Sequence, residues 1–249
     1  MRKLISILGS TGSIGLTTLK IIDKKKGFFK PYFFSANQNY KLINQQIKKY
    51  RPKYFIITDD NVYNKVKKKF KKNSSINILN NFDSLKLKKK IDITISAIPG
   101  INGLEPTIFA TKYSKKILIA NKESVICGWD LIKKIAKKNR TKIIPIDSEH
   151  FSIMKLIQKF DLDDISKIYI TASGGPFLDY KLNELKKIRP KDALKHPKWK
   201  MGKKISVDSS TMMNKILELI EAQKLFNISI NKLDIIIHPN SLVHAIIEL

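Results

Sequence analysis

Cysteine, arginine and long apolar runs are scarce in this chain of 249 residues, and each shortage excludes a class of protein. The single cysteine, Cys127, excludes an internal disulfide framework and a cysteine-rich zinc site. No apolar run approaches the roughly 18 to 20 residues that a membrane helix needs, so we expect no membrane span. The chain begins directly with a strand pattern and lacks the apolar core of a signal peptide, so we expect a cytoplasmic protein.

Positive charge is abundant, with a formal net charge of +27. Such an excess is typical of proteins that bind nucleic acid or an anionic membrane, and those surfaces usually concentrate arginines and aromatic residues on one element. Here the lysines occur in scattered runs, for example at 24–26, 67–69 and 88–90. This dispersion indicates solvated lysine faces. We therefore predict no specific nucleic-acid partner and no membrane partner, although the positive potential favours phosphorylated ligands.

Short apolar runs alternate with helical patterns before residue 150. Helical patterns lie, for example, at 40–50 and 124–139. The runs that predict strands lie at 4–8, 32–34, 54–57, 76–79, 91–95, 117–119 and 143–146. Repeated strand–helix–strand units predict an α/β fold with a Rossmann-like parallel sheet. The rhythm then changes, which predicts a first domain at 1–149 and a second at 150–249.

The second domain is predicted to be a partial α+β domain. A strand at 167–171 precedes a stretch rich in Gly, Pro and Lys at 173–204. A helix is expected at 210–225, and its candidate N-caps are Asp208, Ser209 and Ser210. Strands are expected at 234–237 and 242–248, so the last strand pattern reaches the end of the chain. We therefore expect a domain that is incomplete at its C-terminus.

Three glycines, Gly9, Gly12 and Gly15, separate the first predicted strand from a helix. Glycines at this place let the backbone turn tightly and approach a pyrophosphate at the helix N-terminus. The alternative is a strand–helix turn that binds nothing. Residues 35–39, after the second strand, contain no carboxylate that would bind the ribose hydroxyl of NAD. This absence favours NADP, with Lys41 as the nearest cation.

Two carboxylates, Asp147 and Glu149, follow the last strand of the predicted sheet. In an extended segment they face the same way, and carboxylates at the carboxyl end of a strand suit Mg²⁺ or Mn²⁺. The alternative is a helix N-cap at Asp147 or Ser148, with Glu149 favoured by the helix dipole. The residues alone leave both interpretations open.

A third carboxylate lies on the predicted helix near residue 215. Asn214 and Glu218 share one helix face with Lys215 beside them, and Glu221, one turn later, is an alternative ligand to Glu218. The competing interpretation is an ordinary amphipathic helix, whose core-facing residues would be Met213, Leu217 and Ile220.

Two further segments suit a phosphate or cover a ligand. Ser173 precedes a Gly-Gly pair after a strand, an arrangement that binds anions or forms a plain turn. Asn214 and Lys215 near a helix start form a second candidate anion site. The irregular segment 196–202 carries Trp199, which predicts a lid over a ligand or a surface loop anchored by one tryptophan.

Taken in order, these motifs resemble the 1-deoxy-D-xylulose 5-phosphate reductoisomerase family. They lie at 8–15 (LGSTGSIG), 120–124 (ANKES), 147–150 (DSEH), 173–177 (SGGPF), 196–202 (HPKWKMG), 204–215 (KISVDSSTMMNK) and 237–241 (IHPNS). The resemblance implies an NADPH-dependent oxidoreductase of non-mevalonate isoprenoid biosynthesis that uses one divalent ion, Mg²⁺ or Mn²⁺. Such an enzyme rearranges and reduces 1-deoxy-D-xylulose 5-phosphate to 2-C-methyl-D-erythritol 4-phosphate.

The resemblance also implies residue roles. The metal ligands would be Asp147, Glu149 and Glu218, which selects Glu218 over Glu221, and the catalytic residues would be Lys122, Asp147 and Glu149. The substrate would contact Ser148, Glu149, Ser173, His196, Trp199, Ser209, Asn214, Lys215 and Glu218. NADPH would contact Thr11, Gly12, Ser13, Ile14, Asn39, Asn121, Lys122, Glu123 and Gly202. Residues from about 173 to 203 would form the lid.

The chain departs from the family pattern in two respects. Asn37 and Gln38 stand where the family usually has a glycine and often a basic residue, which bears on the preference for NADP over NAD. The family also has a C-terminal helical domain, which we expect to be missing from this chain, and we expect a homodimer for a full-length chain. Two other functions stay open: a different NADP-dependent dehydrogenase, and a truncated, inactive chain that retains only cofactor binding.

Overall fold

The computed structural model describes residues 2–71, 75–85, 87, 89–195 and 202–249. The chain forms two compact units, 1–145 and 146–249. Asp147 and Glu149, which the predicted boundary assigns to the first domain, belong to the second unit. His196 and Trp199, which the resemblance places at the substrate, lie outside the described residues.

The first unit is built around a seven-stranded sheet with the order β4-β3-β2-β1-β5-β6-β7. Its strands are β1 Lys3–Leu8, β2 Phe29–Ala36, β3 Tyr54–Ile57, β4 Asn77–Leu79, β5 Ile91–Ser96, β6 Ser114–Ile119 and β7 Lys142–Pro145. All neighbouring strands are parallel, which confirms the predicted α/β fold with a Rossmann-like sheet. The strand order reverses at β1, and open α/β sheets bind ligands at such a point.

Helices follow the strands of the first unit because apolar residues recur there at helical spacing. In the described part of this unit they are α1 Ser13–Lys24, α2 Tyr40–Tyr50, α3 Asp60–Lys69, α4 Leu104–Tyr113 and α5 Lys122–Asn139. In α2, Ile43 and Ile47 are fully buried, whereas lysines occupy the last turn. The helices in the described part of the chain are too short or too polar to span a bilayer.

The second unit contains a three-stranded sheet with the order β10-β8-β9. Its strands are β8 Lys167–Ala172, β9 Leu233–Ile237 and β10 Ala245–Glu248; β8 is parallel to β9 and antiparallel to β10. Its described helices are α6 Ser148–Leu156, α7 Leu182–Leu185, α8 Pro190–Ala193, α9 Lys203–Ser210 and α10 Met213–Phe226. Ile153, Ile168 and Ala222 meet in one core, so α6 and α10 pack on β8. This is the predicted α+β arrangement.

Three expectations for the second unit are wrong. The helix expected at 210–225 begins at Met213, because Met212 adopts a left-handed conformation with φ +61° and separates α9 from α10. Asp208, Ser209 and Ser210 are therefore not N-caps but the last turn of α9, where the Ser210 hydroxyl donates to the Val207 carbonyl at 2.7 Å. The last strand begins at Ala245, not at residue 242.

Candidate functional site

The glycine loop between β1 and α1 has a shape that only glycine permits at two positions. Gly9 has φ +81°, and a Cβ there would lie 2.7 Å from the Ala97 carbonyl oxygen. A Cβ on Gly15 would lie 2.4 Å from the Gly9 carbonyl oxygen. Gly12 is the N-cap of α1 and offers no side-chain cap, and Gly12 and Ser13 are exposed. The free end of α1, with no acidic residue in its first turn, therefore fits a pyrophosphate.

Gln46 on α2 holds this loop in place, although it is not among the predicted site residues. The Ser10 hydroxyl donates to Gln46 Oε1 at 2.6 Å, and Gln46 Nε2 donates to the Ser10 carbonyl at 3.0 Å. Both residues are buried. A glutamine on the helix face that carries Ile43 and Ile47 is the signal in the sequence, because buried amides need partners.

The segment after β2 is held by side-chain hydrogen bonds. Asn37 donates to the Thr58 hydroxyl at 2.8 Å, and the Gln38 amide lies 3.4 Å from Asp59 Oδ2. Asn39 caps α2 by accepting from the Leu42 N–H at 3.1 Å. The carboxylate of Asp59, which follows β3, thus lies beside this segment. The preference for NADP stays a prediction.

Asn121 at the start of α5 organises a neighbouring turn. Its side chain is 1% exposed and donates to the Ile98 and Gly100 carbonyls at 2.7 and 3.0 Å and to Glu123 Oε2 at 3.1 Å. Its Oδ1 accepts from the Ser124 N–H at 2.7 Å. These bonds give Asn121 a local structural role. The NADPH contacts expected of Asn121, Lys122 and Glu123, and the catalytic role of Lys122, stay predictions.

In the second unit, three carboxylates from two helices converge. One oxygen of each of Asp147, Glu149 and Glu218 lies within 4.8 Å of the others. Asp147 is the N-cap of α6 and accepts from the Glu149 N–H at 3.2 Å, so the expected extended segment is wrong and the N-cap interpretation is right. The cap does not prevent convergence, because the first turn of α6 directs both carboxylates towards Glu218. Glu221 is not a member of this carboxylate cluster.

Helix α10 reaches the cluster with its polar face. Asn214, Lys215, Glu218 and Glu221 are buried, whereas Met213 is 49% and Ile216 is 46% exposed. The prediction that Met213, Leu217 and Ile220 face the core is wrong, because Met213 is exposed and the other two residues are only partly buried. The polar face is stabilised internally: Asn214 Nδ2 donates to Glu218 Oε1 at 2.5 Å.

Lys215 lies against two of the three carboxylates. Its ammonium group donates to Glu149 Oε1 at 2.9 Å and also to Glu218 Oε2. Burial raises the pKa of Glu149, and the charges of Glu218 and Asp147 raise it further against the effect of Lys215. Burial lowers the pKa of Lys215, but Glu218 and Glu149 outweigh it and the net change is upward. The carboxylate cluster therefore attracts positive charge, and its hard oxygen ligands fit Mg²⁺ or Mn²⁺.

A small pocket beside the carboxylate cluster collects the expected phosphate-binding residues. Its lining includes Ser173, Ser209, Asn214 and Lys215. Gly175, with φ +75°, lets the loop after β8 approach α9, because a Cβ there would lie 2.5 Å from the Ser209 carbonyl oxygen. Hydroxyls, an amide and an ammonium group in one pocket suit a phosphate.

Ser148, Gly202 and the lid segment are the other predicted substrate and cofactor positions in the second unit. Ser148 is exposed, and its hydroxyl donates to Glu149 Oε2 at 2.7 Å. Gly202 is the exposed N-cap of α9. The expected lid at 173–203 includes α7 and α8 and continues into residues outside the described ranges.

Two family models match the chain in succession. The model described as 1-deoxy-D-xylulose 5-phosphate reductoisomerase matches residues 5–128, and the model of the C-terminal domain of that enzyme matches residues 143–226. Together they cover the glycine loop, the carboxylate cluster and α10. The chain belongs to the 1-deoxy-D-xylulose 5-phosphate reductoisomerase family.

Individual relatives and solved structures agree with this assignment. The reductoisomerase of Pelagibacter ubique is 50% identical to this chain, and the alignment covers 99% of this chain and 64% of that protein. The reductoisomerase of Clostridium novyi is 47% identical, and the alignment covers 99% of this chain and 65% of that protein. A crystal structure of DOX-P reductoisomerase with NADPH, fosmidomycin and magnesium has a TM-score of 0.89 at 37% identity, covering 99% of this chain and 64% of that one. The Zymomonas mobilis enzyme with NADPH has a TM-score of 0.88 at 36% identity, covering 100% and 64%. The chain thus spans just under two thirds of these relatives.

Proposed function

We propose that this chain carries out the NADPH- and divalent-metal-dependent rearrangement and reduction of 1-deoxy-D-xylulose 5-phosphate to 2-C-methyl-D-erythritol 4-phosphate. The observation that carries the proposal is the convergence of Asp147, Glu149 and Glu218 beside a pocket lined by Ser173 and Lys215. Family membership supports the same reaction; one related structure is a complex with NADPH, fosmidomycin and magnesium, and another is a complex with NADPH. The product belongs to isoprenoid precursor biosynthesis.

The first unit would hold the cofactor. NADPH supplies a hydride when bound. Thr11, Gly12, Ser13 and Ile14 lie around the start of α1, where a helix leaves main-chain N–H groups without helical partners, and would bind the pyrophosphate of NADPH. Further contacts are proposed for Asn39, Asn121, Lys122, Glu123 and Gly202. The cofactor domain would then correspond to the first compact unit, 1–145, and the substrate domain to the second, 146–249.

The second unit would hold the metal and the substrate. A divalent ion, when bound, supplies Lewis acidity at the carbonyl and hydroxyl oxygens of the substrate. Asp147, Glu149 and Glu218 would hold that ion, as Mg²⁺ or as Mn²⁺. Glu218 of the cluster and Lys215 of the pocket both lie on α10, so this helix would set the distance between the metal ion and the substrate phosphate.

The phosphate pocket would orient the substrate. Ser173 and Ser209 offer hydroxyls, and Asn214 and Lys215 offer an amide and an ammonium group. Binding a group remote from the reacting carbon provides energy for orientation. Lys215 would contact phosphate while remaining next to Glu149 and Glu218. Substrate contacts of Ser148, His196 and Trp199, a lid at 173–203, a homodimer and a cytoplasmic location stay predictions.

A second candidate function is NADPH binding without turnover. One observation favours it: the hydrogen bonds described for the glycine loop, from Ser35, Gln46 and within the loop, all come from the first unit. That unit therefore contains the means to shape a nucleotide site by itself.

The test is NADPH oxidation with 1-deoxy-D-xylulose 5-phosphate, in Mg²⁺ and in excess chelator. The proposed function predicts oxidation that depends on both the sugar phosphate and Mg²⁺. Oxidation that is unchanged by chelator would contradict the metal-dependent reaction. Tight NADPH binding with no oxidation under any condition would select the second candidate.

A further inference from the structure

Three buried hydroxyl groups of the first unit lie close together, outside the glycine loop and outside the proposed cofactor contacts. They belong to Ser96 at the end of β5, Thr107 on α4 and Ser124 on α5, and all three residues are fully buried. The Ser96 and Thr107 oxygens lie 2.6 Å apart, and the Ser124 oxygen lies 3.2 Å from that of Thr107. Burying a hydroxyl costs free energy unless it has a partner, so the partners of this hydroxyl cluster indicate what it holds.

Thr107 is the centre of the hydroxyl cluster. Its hydroxyl donates to the Gly103 carbonyl oxygen at 2.6 Å. A hydroxyl has one hydrogen, so in the pair with Ser96 the hydrogen comes from Ser96. The Ser124 hydroxyl is in addition a donor to Asn121 Oδ1. The hydroxyl cluster therefore holds two neighbours, Gly103 and Asn121.

Both neighbours contact the segment that follows β5, residues 97–100. Asn121 Nδ2 donates to the carbonyl oxygens of Ile98 and Gly100. Gly103 packs so closely that a Cβ on it would lie 2.5 Å from the Ile98 carbonyl oxygen and 2.9 Å from Asn121 Nδ2. Because these contacts are tight, a shift of Gly103 or Asn121 displaces the segment as well.

The segment 97–100 also borders the glycine loop. The Ala97 N–H donates to the Leu8 carbonyl at 3.1 Å, and a Cβ on Gly9 would lie 2.7 Å from the Ala97 carbonyl oxygen. The strand order reverses between β1 and β5, and open α/β sheets bind ligands between the loops that leave such strands. The glycine loop and residues 97–100 therefore form the two sides of the expected ligand crevice.

We propose that Thr107 is a positioning residue for NADPH: through Gly103 and Asn121, it holds residues 97–100 beside the glycine loop. This role rests on the cofactor site of the proposed function, and it requires no contact between Thr107 and NADPH. Without the hydroxyl, a smaller fraction of the molecules has the segment in the position that binds NADPH. The dissociation constant of NADPH rises in proportion.

The experiment compares two variants of Thr107 in the whole chain. Thr107→Val keeps the shape of the side chain and removes the hydroxyl, whereas Thr107→Ser keeps the hydroxyl and removes a methyl group. Thr141→Val is the matched control: the Thr141 hydroxyl is also buried and lies 2.7 Å from the carbonyl oxygens of Thr111 and Ser114, but it precedes β7, at the amino ends of the strands. Fluorescence titration measures the dissociation constant of NADPH, and urea unfolding measures stability.

The proposal predicts that Thr107→Val raises the NADPH dissociation constant by about 5- to 30-fold, as expected when one or two buried hydrogen bonds no longer hold the segment. Thr107→Ser and Thr141→Val should stay within about threefold of the parent chain, although each lowers stability. Unchanged affinity in Thr107→Val overturns the role. So does an equal weakening in Thr107→Ser or in Thr141→Val, which would show that lost stability alone weakens binding.

Ser124→Ala tests the same role should Thr107→Val fail to fold. It removes the hydroxyl that lies between Thr107 and Asn121 and should raise the NADPH dissociation constant about three- to tenfold, with unchanged affinity overturning the role. A parent chain that does not bind NADPH would instead refute the cofactor site of the proposed function.

Discussion

Different physical effects determine the geometry of the glycine loop in the first unit and of the carboxylate cluster in the second. The loop is shaped by backbone sterics, with Gly9 and Gly15 in positions where a Cβ would meet a carbonyl oxygen. The carboxylate cluster is shaped by charge, with Glu218 2% exposed and paired to a buried Lys215. A sterically defined site is damaged by added volume, whereas a charged site is damaged when a partner is removed.

The same contrast appears in two helices. Helix α2 buries the apolar Ile43 and Ile47 and exposes lysines, as an ordinary surface helix does. Helix α10 buries Lys215 and Glu218 and exposes Met213. Burying paired charges adds little net stability, so their arrangement on α10 indicates a functional site rather than a stabilising core.

The largest effect is expected at the carboxylate cluster. Glu149→Gln should reduce turnover at least about a thousandfold, because a metal ligand that stabilises developing charge supplies several kcal/mol. NADPH affinity should be unchanged, since the glycine loop contains no part of this cluster. Steady-state turnover and fluorescence titration with NADPH measure the two quantities. Glu105→Gln, at an exposed position on α4, is the control, and near-normal turnover of Glu149→Gln would contradict the metal assignment.

A smaller effect is expected at Lys215, which contacts the carboxylate cluster and also lines the phosphate pocket. Lys215→Ala should raise the KM for the sugar phosphate by about 10- to 100-fold, because one charge-assisted hydrogen bond contributes about 1.5–3 kcal/mol. Lys224→Ala on the same helix should leave KM unchanged. Initial-rate kinetics over a range of substrate concentrations decide the matter, and an unchanged KM in Lys215→Ala would remove Lys215 from the phosphate pocket.

The glycine loop should respond to volume rather than to charge. Gly15→Ala should lower the free energy of unfolding by about 1–3 kcal/mol, because its Cβ would overlap the Gly9 carbonyl. Gly12→Ala is the matched control: its Cβ would lie 3.4 Å from the nearest atom, an ordinary contact. Urea unfolding of both variants measures the difference. Equal stability of the two would show that the loop relaxes around an added methyl group.

The smallest effect is expected at a surface pair of the first unit. Asp92 accepts from Lys115 at 2.7 Å and from the Leu4 N–H at 2.8 Å, and its hydrogen bond with Lys115 is the main reason that the pKa of Asp92 is lowered. A lowered pKa stabilises the fold above the ordinary value of 3.8, and that contribution is lost as the pH falls through the folded-state value. Asp92→Asn should cost about 0.5–1 kcal/mol at neutral pH, since the exposed Lys115 is screened. Unfolding free energies at neutral and acidic pH test this, and the cost should shrink in acid.

Local patterns predicted much of the first unit and less of the second. The strands, the helix at 40–50 and the glycine loop follow from apolar spacing and from turn chemistry between neighbours in the chain. The start of α10 was misplaced because Ser209 and Ser210 are equally suited to cap a helix or to end one. Gln46 and Thr107 were missed because each acts on a partner far away in the chain or on another helix.

Periodicity and motifs of neighbouring residues were enough to predict the α/β fold, the family resemblance and the kinds of residue that a metal and a phosphate require. Other features depend on packing: Asp147, Glu149 and Glu218 meet, Lys215 lies between this carboxylate cluster and the small pocket, and Glu221 lies beside His150 instead. The reason is physical: whether a buried charge is compensated depends on which helices pack together, and spacing along one helix does not contain that information.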